Sequence, residues 1–156
     1  MTERQAANAM LLKHWQGKTL PVDPFYIAAA EGIPCRSLSF ENLSASGWYK
    51  IEDGRPVIEY NPTEPLLRQR FTVAHELGHH LLGHGSRPRD SSQAMMGSRD
   101  LVETAANRFA AELLMPAGSV QMLVVDHGIV DIGTLANYFQ VSESAMTYRL
   151  RNLGHI

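Results

Sequence analysis

Phe71-Thr72-Val73-Ala74-His75-Glu76-Leu77-Gly78-His79-His80-Leu81-Leu82-Gly83-His84 is the run around which the remaining residues arrange themselves. Its apolar residues Phe71, Ala74, Leu77, Gly78, Leu81 and Leu82 recur at helical spacing, so a helix with one buried stripe is expected. Within it lies an H-E-x-x-H pattern, from His75 to His79. Residues four apart on a helix differ by about 40° in direction and about 6 Å in height, so both imidazoles can face one cation. That is half of a zinc site.

Glu76 is rotated about 100° from His75, poorly placed as a third ligand but well placed to take a proton from a water held by the cation. Zinc brings the pKa of such a water from roughly 15.7 to about 7, which is the chemistry of a metallopeptidase. Two histidines and a glutamate can also share a helix by accident. Against accident stands the apolar character of this helix, where such groups are costly unless paired or bound to metal. His80 and His84 form a second pair four apart, but Leu81 stands where a second glutamate would be needed. They are expected to flank the site, partly exposed, rather than to bind metal. His84 also fails as a third ligand on spacing, because the metzincin pattern requires Gly at position 82 and His at 85, where this chain has Leu82 and Gly85. The third ligand is therefore expected from another helix.

The chain has 156 residues, enough for one domain and too few for two ordinary ones. An apolar content of 44% and a charged content of 19% are those of a soluble globular protein. A net charge of -2 offers no electrostatic reason to bind nucleic acid. The single cysteine, Cys35, excludes an internal disulfide and a zinc site built from thiolates. No long apolar run opens the chain or crosses it, so neither signal peptide nor membrane span is expected, and the cytoplasm is the expected location.

In chain order, residues 1–34 are expected to form two helices. The first covers residues 2–15, with Ala6, Ala9, Met10 and Leu12 on a loosely amphipathic face, and ends at Gly17. The second is capped by Asp23, begins at Pro24 and stops at Gly32. From 35 to 60 the pattern alternates, and Asp53-Gly54 is a hairpin signal, so three short antiparallel strands are expected. The motif helix then spans 63–84. Its neighbouring strand edge can hold a peptide substrate in extended form by main-chain pairing. Residues 83–98 are rich in small, polar and helix-breaking residues, a long loop and a candidate lid, or a plain connector.

Residues 99–115 form the second strong helix, with Val102, Ala105, Ala106, Phe109, Ala110, Leu113 and Leu114 as its buried face. Glu103 and Asn107 are four apart on one face, so a carboxylate ligand and a hydrogen-bonding neighbour can both point at the motif helix. Such a neighbour usually accepts the free N–H of a ligating histidine and fixes its tautomer. Glu112 is the rival carboxylate, about 180° around the helix and better suited to an exposed face. The expected class is α+β, a small three-stranded antiparallel sheet packed on a helical, zincin-like core, with a helix-turn-helix-like C-terminal segment in residues 119–156.

His75-Glu76-Leu77-Gly78-His79, preceded by Arg70-Phe71-Thr72 and followed by Glu103, Asn107-Arg108-Phe109-Ala110-Ala111-Glu112 and Leu113-Leu114-Met115-Pro116, resembles the ImmA/IrrE family of bacterial and phage zinc metallopeptidases. The resemblance covers roughly residues 20–153. It implies a gluzincin-like site with His75, His79 and Glu103 on Zn2+ and Glu76 as general base. It further implies a cytoplasmic endopeptidase that cleaves helix-turn-helix repressors or antitoxin-like partners in stress, mobile-element or toxin–antitoxin circuits.

A competing function rests on residues 130–153. Ser142 can cap the second helix of a helix-turn-helix, Arg149 and Arg151 can meet phosphate, and Thr147 can approach a base edge. Against it, Leu135, Phe139, Val141, Met146 and Leu150 have the spacing of core residues, and Glu143 opposes DNA. A partner-binding scaffold without activity is the third reading. For a second donor to the oxyanion of peptide hydrolysis, Tyr26, Tyr138 and His127 have suitable side chains, and spacing selects none of them.

Overall fold

The computed structural model describes residues 1–85, 87–90 and 100–156. Thr2 opens α1 (Glu3–His14) with a reciprocal cap, its hydroxyl accepting from the Gln5 N–H while its own N–H donates to the Gln5 side chain. The buried face of this helix is Ala6, Ala7 and Met10, with Leu11 packed beside them. Leu12, expected inside, is exposed, because one residue of rotation separates the two faces. Asp23 caps α2 (Pro24–Ala30) by accepting from the Phe25 and Tyr26 N–H groups.

The sheet differs from expectation in two ways. Its order is β1 (Cys35–Ser37), β3 (Arg55–Tyr60), β2 (Ala45–Glu52), β4 (Arg87–Asp90), and β1 runs parallel to β3. Alternation marks residues as strand but carries no information about which neighbour they pair with or in which direction. The 3-10 turn at Phe40–Asn42 lies on the connection that carries the chain from β1 past β3, so the first strand takes the far side of the hairpin. The hairpin itself is as expected, with Asp53 and Gly54 at φ 51° and 77°, the pair of positive angles that a two-residue turn needs.

The second difference is β4, which pairs antiparallel with β2. Arg-Pro-Arg-Asp has no apolar alternation, and a proline is tolerated only at a sheet's edge, so this strand leaves little trace in the sequence. β4 thereby covers one side of β2 and forms the end of the sheet there. Of the expected loop and candidate lid, residues 86 and 91–98 lie outside the described residues.

α3 (Leu66–Leu81) is the centre of the molecule, touching β2 and β3, α2, and α4 (Leu101–Leu114). A surface helix buries one stripe, whereas here Arg70 and every residue from Thr72 to His79 are buried, so neighbours cover this helix on all sides. α3 and α4 approach closely at Gly78, where an added Cβ would lie 3.0 Å from Phe109 Cδ1 and 3.2 Å from its Cβ. Val73, Leu77, Phe109 and Leu113 are fully buried in the core around that contact.

Arg70 anchors the start of the helix. Its buried guanidinium donates to the carbonyls of Val22 (2.7 Å) and Gln140 (3.1 Å), the latter at the end of α6 (Ile132–Phe139), where the last carbonyls lack helical partners. After α4, a short helix α5 (Ala117–Gln121) runs into a π turn (Met122–Asp126), and α6 and α7 (Glu143–Asn152) close the chain as a helical hairpin. Ser142 caps α7 as expected, and Leu135, Phe139, Val141, Met146 and Leu150 are all buried. No single described helix is long and apolar enough to cross a membrane.

Replacing Gly78 with Val is expected to cost about 1–3 kcal/mol, since overpacking against Phe109 exceeds the gain in helix propensity. A urea titration showing unchanged or greater stability would contradict a tight α3–α4 contact.

Candidate metal centre

Two helices build the site. α3 supplies His75 and His79 one turn apart, with their rings edge to face at 4.7 Å. α4 supplies Glu103 in its first turn, behind the N-cap Asp100, which accepts from the Val102 and Glu103 N–H groups. A carboxylate in the first turn is favoured by the helix dipole. The capping that starts the helix therefore also places the carboxylate.

Glu103 bridges the two rings. Its Oε2 lies 2.7 Å from His75 Nε2, its Oε1 lies 3.2 Å from His79 Nε2, and the two Nε2 atoms are 3.1 Å apart. His75 and His79 are 1% and 0% exposed, and Glu103 is buried as well. Burial opposes ionisation of Glu103, but when His75 and His79 carry protons on Nε2 their hydrogen bonds and charges outweigh it and hold the carboxyl well below its usual range.

The far side of His75 decides what these atoms can do. Its Nδ1 donates to Asn107 Oδ1 at 2.8 Å, which in the neutral ring leaves a lone pair on Nε2. Nε2 then faces a carboxylate oxygen and a second ring nitrogen, so acceptors converge on one point and require a shared cation or proton. Tetrahedral zinc with bonds of ~2.0–2.1 Å would set its ligand atoms about 3.3 Å apart. The observed 2.7–3.2 Å separations are close to that spacing. His75, His79 and Glu103 form, among the described residues, a group able to hold a metal ion, with ligand atoms within 4.8 Å of one another.

Glu76 follows His75 on the same helix and is fully buried. It faces β2, where a Cβ on Gly47 would lie 3.2 Å from Glu76 Oε1 and 2.4 Å from Thr72 Cγ2. Only glycine lets the strand pass this close. The pairing of β2 with β4 also shifts register between Ala45 and Gly47, a bulge beside the site.

A family model described as the IrrE N-terminal-like domain matches residues 28–151. The chain belongs to this family. Among curated proteins, the radiation response metalloprotease IrrE of Deinococcus radiodurans is 34% identical over 126 residues, covering 76% of this chain. The chain spans only 38% of that relative's length. The resemblance seen in the motifs and the α+β class are thus both upheld, and the chain belongs to a peptidase family.

Within this IrrE-like domain the other candidates fall elsewhere. Glu112, the rival carboxylate, makes a two-pronged ion pair with Arg149, at 3.1 Å to Nη1 and 2.9 Å to Nη2. Arg149 also donates to the Met115 carbonyl and is 5% exposed, so this candidate phosphate contact is a buried strut between α4 and α7. The Thr147 hydroxyl donates to the Glu143 carbonyl. Tyr26 packs edge-on against Trp15 with Lys18 over its ring, and Tyr138 lines an apolar groove with Trp15 and Met122. His127 closes the π turn, its backbone N–H donating to the Met122 carbonyl. None of these three belongs to the group of His75, His79 and Glu103 found among the described residues.

The second histidine pair splits. The Tyr49 hydroxyl, whose pKa burial pushes up, shares a hydrogen bond with His80 Nδ1 at 2.8 Å, while burial draws His80 down and favours its neutral form. This ties β2 to the end of α3. His84 instead packs against His79, a contact that ligand spacing does not reveal.

Glu112→Ala is expected to cost about 3 kcal/mol by stranding the buried Arg149 charge, with metal binding unchanged. Glu103→Ala should abolish metal binding. Melting curves with and without added zinc separate the two; loss of zinc response in Glu112→Ala would contradict these assignments.

Proposed function

We propose that the chain is a zinc-dependent endopeptidase of the cytoplasm, acting on a specific protein substrate such as a helix-turn-helix repressor or an antitoxin-like partner. The observation that carries the reading is the convergence of His75, His79 and Glu103, with the buried Glu76 on the same helix. Membership of a peptidase family and likeness to a radiation response metalloprotease support the same reading and favour a role in a stress response.

When bound, zinc supplies Lewis acidity, making a water nucleophilic near neutral pH and polarising the scissile carbonyl. His75, His79 and Glu103 would hold it, and Asn107 keeps the His75 proton on Nδ1 so that Nε2 stays available. Glu76 acts as general base: it accepts a proton from the attacking water and delivers it to the amide nitrogen as the C–N bond breaks. Its burial against Gly47 keeps bulk water from competing for that proton.

Incubation of the zinc-loaded chain with the repressor-like products of neighbouring genes tests the substrate class. Glu76→Gln should retain zinc while cleavage falls by roughly 10²–10⁴-fold. Undiminished cleavage by this variant would remove Glu76 from the mechanism. Zinc present at about 100 times its dissociation constant should add ~2.7 kcal/mol to folding stability, lost on adding a chelator. A melting temperature indifferent to zinc would contradict binding by the folded state.

A further inference from the structure

α3 ends in a turn whose geometry reaches into the metal group. Gly83 is left-handed, at φ 73°. Its N–H donates to the His80 carbonyl at 3.2 Å, and the next N–H, of His84, donates to the His79 carbonyl at 2.9 Å. This pair of bonds is a Schellman closure, with Gly83 as the first residue past the helix cap and His84 as the second.

Such a closure folds the second residue's side chain back onto the residue five positions earlier, usually as an apolar contact. Here both positions are histidine. The rings of His79 and His84 lie 5.1 Å apart at 66°, and their Nδ1 atoms are 2.9 Å apart. His79 directs Nε2 at Glu103 and His75, so as a neutral ring with that lone pair free it carries its proton on Nδ1. That N–H donates to the lone pair of His84 Nδ1, and His84 then carries its own proton on Nε2.

We infer that His84 is a positioning residue for the metal centre, fixing the tautomer and ring angle of His79 as Asn107 does for His75. The two imidazoles are thus held by groups of different origin. Asn107 arrives across the α3–α4 interface, whereas His84 is delivered by the same helix through its own terminating turn. The inference rests on the reading of His75, His79 and Glu103 as metal ligands.

The test is a zinc competition titration against a chromophoric chelator, run on the full chain and two variants, with melting of each metal-free protein alongside. His84→Leu keeps an apolar contact suited to the turn but removes the acceptor; His84→Gln restores an acceptor oxygen. Zinc affinity should fall roughly 10–100-fold in His84→Leu and recover in His84→Gln, with the metal-free melting temperatures unchanged. Equal zinc affinity in the wild type and His84→Leu would overturn the inference. So would a loss that tracks a lower metal-free melting temperature and that His84→Gln does not recover, since His84 would then serve the turn alone. A wild-type chain that binds no zinc would instead overturn the metal-site reading on which the inference stands.

Discussion

Acceptor atoms from two helices are buried facing one another, and the structure depends on how that burial is resolved. Removing two imidazoles and a carboxylate from water is expensive unless each polar atom finds a partner. Here the Nδ1 atoms of His75 and His79 are matched by Asn107 and His84, and what remains is two Nε2 atoms and one carboxylate around a single point. A cation at that point would offset the desolvation, and the helices supply the rigidity. α3 and α4 can come this close because Gly78 leaves room for Phe109.

The rest of the fold serves that approach. Arg70 fixes the start of α3 by satisfying carbonyls near α2 and at the end of α6, and the Glu112–Arg149 pair fixes the far end of α4 against α7. The C-terminal helical hairpin therefore braces both helices that carry His75, His79 and Glu103. A segment patterned like a nucleic-acid reader commits its best phosphate contact to this internal strut. On the other side of α3, β2 passes over Glu76 at Gly47, so that strand, bulge and helix together enclose the carboxylate.

Much of this is legible in the residues because periodicity and short-range chemistry are local. His75, His79 and Glu76 follow from one helical turn. Glu103 and Asn107 follow from a second helix with a matching face, and Asp23, Ser142 and Asp53-Gly54 announce their caps and turn. What escapes a reading of the residues is non-local or lacks an apolar signal. The parallel pairing of β1 depends on where the chain crosses, and β4 is four polar or proline residues on an edge. Helical geometry puts Glu112 on the face away from the site, but cannot name its partner, Arg149, 37 residues further on. Ligand spacing excludes His84 from the metal, although glycine followed by histidine at a helix end carries a usable signal. A left-handed glycine folds the next side chain onto the residue five back, and that residue is His79.

X-ray absorption at the zinc edge of the metal-loaded protein tests the central claim most directly, because it reads the donor atoms themselves. The predicted first shell contains two imidazole nitrogens and oxygen donors at ~2.0–2.1 Å, with the outer-ring scattering of histidine and no sulfur. A shell with thiolate sulfur at ~2.3 Å, which only Cys35 could supply from within the chain, or one of oxygen alone without imidazole scattering, would contradict it.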